Sequence, residues 1–312
     1  PEVSAGDPFV QFHPVAGWTP RPNLDTHAYD LNGDVFHFTT DSDGWRSRGS
    51  LDDAEMVVFG DSFAFGYGID DNGFFGDMDP SFKIKAIGAP GYNMVQAVHW
   101  MRELAPRTAG KPIVWLLYPP NDLEDNIRPS MLQYRTPFVR EKDGAWGTVT
   151  SHLSEEVWPF PNRKPHFENF VDICSGTDLS RRVFSACRHL IAEAADIARE
   201  NRSGLVIATV PELSPLAKGQ LVKAQARSTA TEYDPDLPDR RIAEICQEMG
   251  VSFVPLNREL DGSDYLENDV HWNASGHRKV HGVLKQIRGQ APPPPAPQTA
   301  DPPRTPATVA GG

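Results

Sequence analysis

The chain has 312 residues, a net charge of −12 and a hydrophobic fraction of 39%. This is enough apolar material for a sizeable core, and no stretch approaches the roughly 18 to 20 apolar residues that a membrane-spanning helix requires. Because no dense Lys/Arg block interrupts the acidic balance, a nucleic-acid partner is not expected.

Residues 1–50 are rich in Pro, Gly, Asp and Thr, lack helical periodicity and read as an N-terminal arm packed on the main domain. Within them, "HAYDLNGDVFHF" sets Asn32-Gly33 between two alternating runs, the pattern of a hairpin with a type I′ turn. Asp30, Asn32, Asp34 and Asp41 loosely suggest a calcium loop, but Val35 stands where that loop needs Gly. The start at Pro1, without initiator Met or signal peptide, is expected of a mature or trimmed form.

From residue 51 short apolar runs alternate with helical patterns. Met56–Phe59, Phe82–Ile87, Ile113–Tyr118, Leu205–Val210 and Val251–Pro255 are the predicted strands. Helices are predicted over roughly Asn93–Leu104, Asp178–Asn201, Asp239–Met249 and Ala274–Arg288. The second carries Leu179, Val183, Cys187, Leu190, Ala194 and Ile197 on one stripe. Pro238 and Gly250 are start and stop signals for the third, and Asn273 and Gly289 for the last. The alternation implies an α/β fold with a parallel sheet covered on both faces. "FKIKAI" suits an edge strand, which gives the order 2-1-3-4-5.

Residues 125–175 interrupt the rhythm after strand 3. They include "FVREKDGAWGTV", a second hairpin turning at Asp143-Gly144, and read either as a lid or substrate wall or as surface elaboration. The main domain is thus residues 51–288, and the Pro-rich stretch 289–312 is expected to be a disordered or polyproline tail. Cys174, Cys187 and Cys246 have no metal-ligand spacing. Cys187 and Cys246 fall on apolar helix positions and read as core, while a Cys174–Cys187 disulfide stays open.

Ligands of an open parallel sheet bind beyond the carboxyl ends of its strands. Strand 1 delivers Gly60-Asp61-Ser62, strand 2 "GAPGYN", strand 3 "YPPND", and "ENDVHWNASGH" follows strand 5. Each has a plain structural explanation: Ser62 and Asn273 as helix caps, Gly88 and Gly91 as turn residues, Asn121 and Asp122 as caps. Together they supply what acyl transfer needs. Ser62 is the nucleophile, His271 the base, and Asp269 the carboxylate that holds the imidazole tautomer. Ser62 N–H, Gly91 N–H and the Asn121 amide are candidate oxyanion donors. Tyr67, Tyr92, Tyr118 and Trp272 lie near the predicted mouth, where they either stack on a sugar or pack core and rim.

In order and spacing, "FGDSFAFGYG", "GAPGYN", "YPPND" and "DVHWNASGH" resemble the four blocks of the SGNH/GDSL hydrolase superfamily, over roughly residues 51–288 plus the lead-in "TTDSDGWRSRG". The resemblance implies a three-layer flavodoxin-like fold and serine-dependent ester chemistry, with Ser62, Gly91, Asn121 and His271 in the four named roles. Two departures stand out. Pro119 replaces the usual Gly of the third block and is followed by Pro120, which is expected to stiffen the loop presenting Asn121 and removes two N–H donors. Asn268 stands where many members carry the acid, which leaves Asp269; this Asp-x-His-Trp arrangement resembles alginate O-acetyltransferase-like proteins.

The leading expectation is an esterase acting on O-acetylated carbohydrate or another small ester, with no metal or organic cofactor required. An O-acetyltransferase using the same residues and a non-catalytic polysaccharide-binding module are the alternatives. An extracytoplasmic location is expected by analogy alone.

Overall fold

A computed structural model describes residues 9–131, 134–156, 166–228 and 232–290. The arm contributes two antiparallel pairs, β1 (Val10–His13) with β2 (Gly17–Pro20) and β3 (Asp25–Tyr29) with β4 (Val35–Thr39). The main domain then runs β5 (Met56–Gly60), α1 (Ser62–Phe65), β6 (Ile84–Gly88), α2 (Met94–Glu103), α3 (Ala105–Thr108), β7 (Ile113–Leu117) and α4 (Pro119–Asp125). Next come β8 (Ser130–Met131), β9 (Tyr134–Arg135), β10 (Phe138–Lys142), β11 (Ala145–Val149), α5 (His166–Ile173) and α6 (Asp178–Glu200). The chain closes with β12 (Leu205–Thr209), α7 (Pro215–Arg227), α8 (Leu237–Met249), β13 (Ser252–Pro255) and α9 (Ala274–Gln290).

Five strands form one parallel sheet in the order β6-β5-β7-β12-β13. Numbered along the chain this is 2-1-3-4-5, the flavodoxin-like arrangement, and it reverses direction between β5 and β7. Side chains alternate across the strands and separate the core into two layers. Val57, Phe59, Ile113, Trp115 and Leu117 pack with residues of α2, α6 and α8 on one face. Met56, Val58, Val114 and Leu116 pack with residues of α1 and α9 on the other. Burial on both faces explains why β7 reads Ile-Val-Trp-Leu-Leu without a polar position.

The edge strand β6 is covered rather than exposed. Lys85 is buried: its Nζ donates to Ser47 O at 2.9 Å and Gly49 O at 3.0 Å and pairs with Asp41 at 2.6 Å. Ala86 N–H, on the free edge, donates to Ser47 Oγ at 3.3 Å. The Lys/apolar alternation of "FKIKAI" therefore reflects an edge strand capped by the arm. Arg46, in the same lead-in, is buried; its Nε pairs with Asp71 at 3.0 Å and its guanidinium lies 4.8 Å from the Phe74 ring centre. Its other nitrogens donate to the carbonyls of Phe65, Gly66 and Ile69, which clamps the chain as it leaves α1.

Several sequence expectations need correcting. The β3–β4 hairpin pairs Tyr29 with Val35, so its loop is Asp30–Asp34 and not a two-residue turn. Gly33 N–H donates to Asp30 O at 3.1 Å, and only Gly33 takes a positive φ, +86°. A type I′ turn needs positive φ at both central residues; this is a type I turn followed by a left-handed glycine. The Asp30 carboxylate selects it by accepting from the N–H groups of Asn32 at 2.8 Å and Asp34 at 2.9 Å. Pro119 and Pro120 do not stiffen a loop; they open α4, where a fixed φ and a missing N–H are both tolerated. α9 runs through Gly289, which lacks the left-handed φ of a helix-ending glycine. The three cysteines are buried free thiols, so Cys174 and Cys187 form no disulfide. Within the 125–175 stretch the Asp143-Gly144 hairpin forms, pairing Lys142 with Ala145. Residues 291–312, which include most of the expected tail, lie outside the described residues. Among the described residues, no helix is long and apolar enough to cross a membrane.

Candidate active site

The carboxyl ends of β5 and β7 are neighbours at the point where the strand order reverses, the crevice position of an open parallel sheet. β5 ends at Gly60, where a Cβ would sit a tight 3.0 Å from both Ala64 Cβ and Leu116 O, which favours glycine where the chain turns into α1. Asp61, and not Ser62, caps that helix: its Oδ1 accepts from Phe63 N–H at 2.9 Å. Ser62 is thereby left with its hydroxyl uncommitted at the first helical position, where backbone N–H groups lack intrahelical partners. Its Oγ lies 2.8 Å from His271 Nε2.

His271 Nδ1 lies 2.7 Å from Asp269 Oδ1. Asp269 is fully buried, and the same oxygen also accepts from the N–H groups of Val270 and His271, at 2.5 and 3.1 Å. Its Oδ2 accepts from Leu31 N–H, at the tip of the β3–β4 hairpin, at 3.4 Å. Asn268 is exposed, with a left-handed φ of +53°, and serves as the bend before the acid. The loop is closed by a Tyr265–Trp272 bridge and by Leu266 N–H donating to His271 O at 2.9 Å. Asn273 ties its base: the amide donates to Ser263 O at 2.8 Å and Tyr265 O at 2.9 Å, while Oδ1 accepts from Ser275 and Gly276 in the first turn of α9.

The two buried carboxyls of this site move in opposite directions. Burial pushes Asp61 up, and its donors, Phe63 N–H and the Asn121 amide, only partly offset this. Burial also pushes Asp269 up, but the His271 side chain and the backbone N–H groups of His271 and Leu31 outweigh it and hold the carboxyl below the ordinary range. Buried Asp122, whose carboxylate accepts from Tyr118 N–H at 2.8 Å, is raised well above that range by burial and by Asp61 and Asp125 nearby.

Asn121 stands in the first turn of α4, and its Nδ2 donates to Asp61 Oδ2 at 3.1 Å, which leaves the second amide hydrogen available. Gly91 follows β6 with a φ of +79°; a Cβ there would meet Met131 Cγ at 3.2 Å and Trp18 at 3.7 Å. The left-handed conformation therefore favours glycine at this position. The Gly91 loop is bolted to the insertion by Asn93, whose amide donates to Asp125 O at 3.1 Å and Pro137 O at 2.9 Å. Pro137 and Met131 of the insertion thus meet this loop, with Met131 over Gly91.

The structure brings Ser62, Asp269 and His271 into one hydrogen-bonded chain and sets Gly91 and Asn121 on neighbouring strand ends. It does not assemble the aromatic platform. Tyr92, Tyr118 and Trp272 are buried, at 1%, 4% and 1% exposure. Tyr92 donates from its hydroxyl to Trp18 O at 2.9 Å. Tyr118 and Trp272 pack on Phe63 with ring centres 4.9 and 4.8 Å away. These rings sit inside the two core layers, which is where sequence position near a strand end cannot distinguish rim from interior. Tyr67 alone remains half-buried, its ring 4.8 Å from His271 and its hydroxyl donating to Tyr29 O at 2.7 Å. Burial, with Asp269 and Asp30 nearby, pushes it up to about 12, so it stays a neutral donor.

Sequence reasoning missed three contributors. Asp61 was visible in "GDS", but its contact with Asn121 spans 60 positions. Met131 and Leu31 reach the site from the insertion and the arm, and nothing in their local sequence marks them.

No protein-family model matches the chain, and no curated protein matches it. Among solved structures it is similar to an inhibitor-bound aryl esterase of M. smegmatis, with 9% identity, a TM-score of 0.45 and coverage of 76% of this chain and 99% of that one. It is similar also to a carbohydrate acetylesterase family member from Sinorhizobium meliloti (12% identity, TM-score 0.43, 75% and 99% coverage). A third is a putative lipolytic protein of the G-D-S-L family from Desulfitobacterium hafniense DCB-2 (9% identity, TM-score 0.39, 75% and 99% coverage).

Proposed function

We propose that the protein is a serine-dependent ester hydrolase of the SGNH type that removes O-acetyl groups from carbohydrate through an acyl-Ser62 intermediate. The observation that carries this reading is the unbroken path from Asp269 Oδ1 through His271 to Ser62 Oγ, with contacts of 2.7 and 2.8 Å. Ser62 Oγ attacks the ester carbonyl while His271 Nε2 takes its proton, and Asp269 stabilises the imidazolium. Ser62 N–H, Gly91 N–H and the free amide hydrogen of Asn121 are the donors offered to the oxyanion. Collapse expels the alcohol, which receives the proton from His271. Water, deprotonated by the same nitrogen, then releases the acid and restores Ser62.

The carbohydrate part rests on the Asp-x-His-Trp arrangement at Asp269–Trp272. The test is turnover of an aryl acetate and of a panel of acetylated glycans by the wild-type chain and by Ser62→Ala. Ester cleavage abolished in Ser62→Ala with an unchanged circular dichroism spectrum is expected. Faster acetyl transfer to an added oligosaccharide than to water would reassign the protein as a transferase. Equal inertness of the two proteins with retained glycan binding would make it a binding module.

A further inference from the structure

The loop that carries the acid is held from outside the parallel-sheet domain. At the tip of the β3–β4 hairpin, Leu31 N–H donates to Asp269 Oδ2 at 3.4 Å and the Asn32 amide donates to Glu267 O. Next to them, Tyr29 O receives the hydroxyl of Tyr67, whose ring lies against His271. The packing is close: a Cβ on Gly68 would fall 2.5 Å from Leu266 Cδ1 and 3.7 Å from Asp30 Cβ. Asp269 Oδ1 serves three donors of its own loop, whereas Leu31 N–H is the donor to Oδ2. Rotation about the Cβ–Cγ bond of a carboxylate carries both of its oxygens together. A donor on Oδ2 therefore resists the same turn that would carry Oδ1 away from the imidazole, and so supports the direction in which Oδ1 meets it.

We propose that the backbone N–H of Leu31 is a positioning group for Asp269, which makes the N-terminal hairpin part of the catalytic apparatus. This rests on the esterase reading above. The hairpin turn permits a clean test. Leu31 follows Asp30 as the first central residue of a type I turn, the position proline prefers, and proline has no N–H. The Leu31 side chain is 59% exposed, so little packing is lost on replacing it.

Leu31→Pro is expected to lower kcat about tenfold with KM within about twofold of wild type, the scale of one hydrogen bond to a charged group. Leu31→Ala keeps the donor and is expected to stay within about twofold in both constants. In an Asp269→Ala background, Leu31→Pro is expected to cost less than about twofold, because the group it acts through is gone. An unchanged kcat in Leu31→Pro overturns the proposal, as does an equal loss in the Asp269→Ala background. Should the wild-type chain cleave no ester and take no phosphonate on Ser62, the esterase reading itself fails. The same four variants compared by urea unfolding then decide the contact: non-additive losses at positions 31 and 269 sustain it, and additive losses overturn it.

Discussion

Two carboxylates flank Ser62, both buried, and their surroundings treat them in opposite ways. Asp61 lies at the end of β5 with two neutral donors, and burial prevails, so its carboxyl is raised. Asp269 lies in a loop with His271 on one side and backbone donors on the others, and there the donors prevail. Depth alone therefore does not decide which way a buried carboxyl shifts; the count and charge of its partners does. The site exploits the difference. The carboxyl that faces the imidazole is the well-served one, while the other orients an amide and caps a helix.

The largest effect should come from the atom both carboxylates frame. Ser62→Ala is expected to lower kcat for an aryl acetate by about 10⁴-fold or more, measured against a circular dichroism spectrum that does not change. Asp269→Asn tests the well-served side. Loss of the anion that sets the imidazole tautomer is expected to cost about 10⁴-fold in kcat, with KM little altered. Asp61→Asn tests the other side. It sets a second amide against Asn121 and turns its donor away, so a smaller loss, on the order of 10²-fold, is expected. Equal losses at the two acids would erase the comparison.

The pH dependence of stability sharpens it further. Asp269 is lowered in the folded state, so its contribution is present above the ordinary carboxylate value of about 3.9 and is lost as pH falls through the folded value. Asp122 is raised well above that value, so its sign is reversed: stability is lost as pH climbs from the unfolded towards the folded value. Urea titrations of Asp122→Asn are accordingly expected to show a gain of about 1 kcal/mol near neutral pH that vanishes in acid. A gain that persists in acid would contradict the assignment.

The sheet and the Ser62 turn were legible because each is local. Strand 1, the Gly60 turn and Ser62 are contiguous, and the apolar runs reveal the strands without knowledge of their partners. Asp269 and His271 sit two residues apart, so their pairing was also readable. Elsewhere the deciding contacts are distant. Lys85 looked like a solvent-facing edge residue because the arm that covers it lies some forty positions away. The helix Pro215–Arg227 left little periodic signal, since only Ala217 and Ala224 in it are buried. For Tyr92, Tyr118 and Trp272 stacking and core packing both stayed open, because an aromatic beside a strand end reads the same whether it points into the cleft or into the layer behind it. The Asp30 carboxylate favours the observed hairpin turn by accepting from the N–H groups of Asn32 and Asp34, a contact the Asn32-Gly33 pair alone does not reveal.

The proposed chemistry requires Ser62 as the nucleophile and His271 as its base. Its most direct test is covalent labelling with an aryl phosphonate, followed by mass spectrometry of the peptide that contains residue 62. The wild-type chain is predicted to carry the adduct on Ser62, Ser62→Ala to carry none, and His271→Ala to label far more slowly. An adduct on another residue, or equal labelling rates with and without His271, would contradict it.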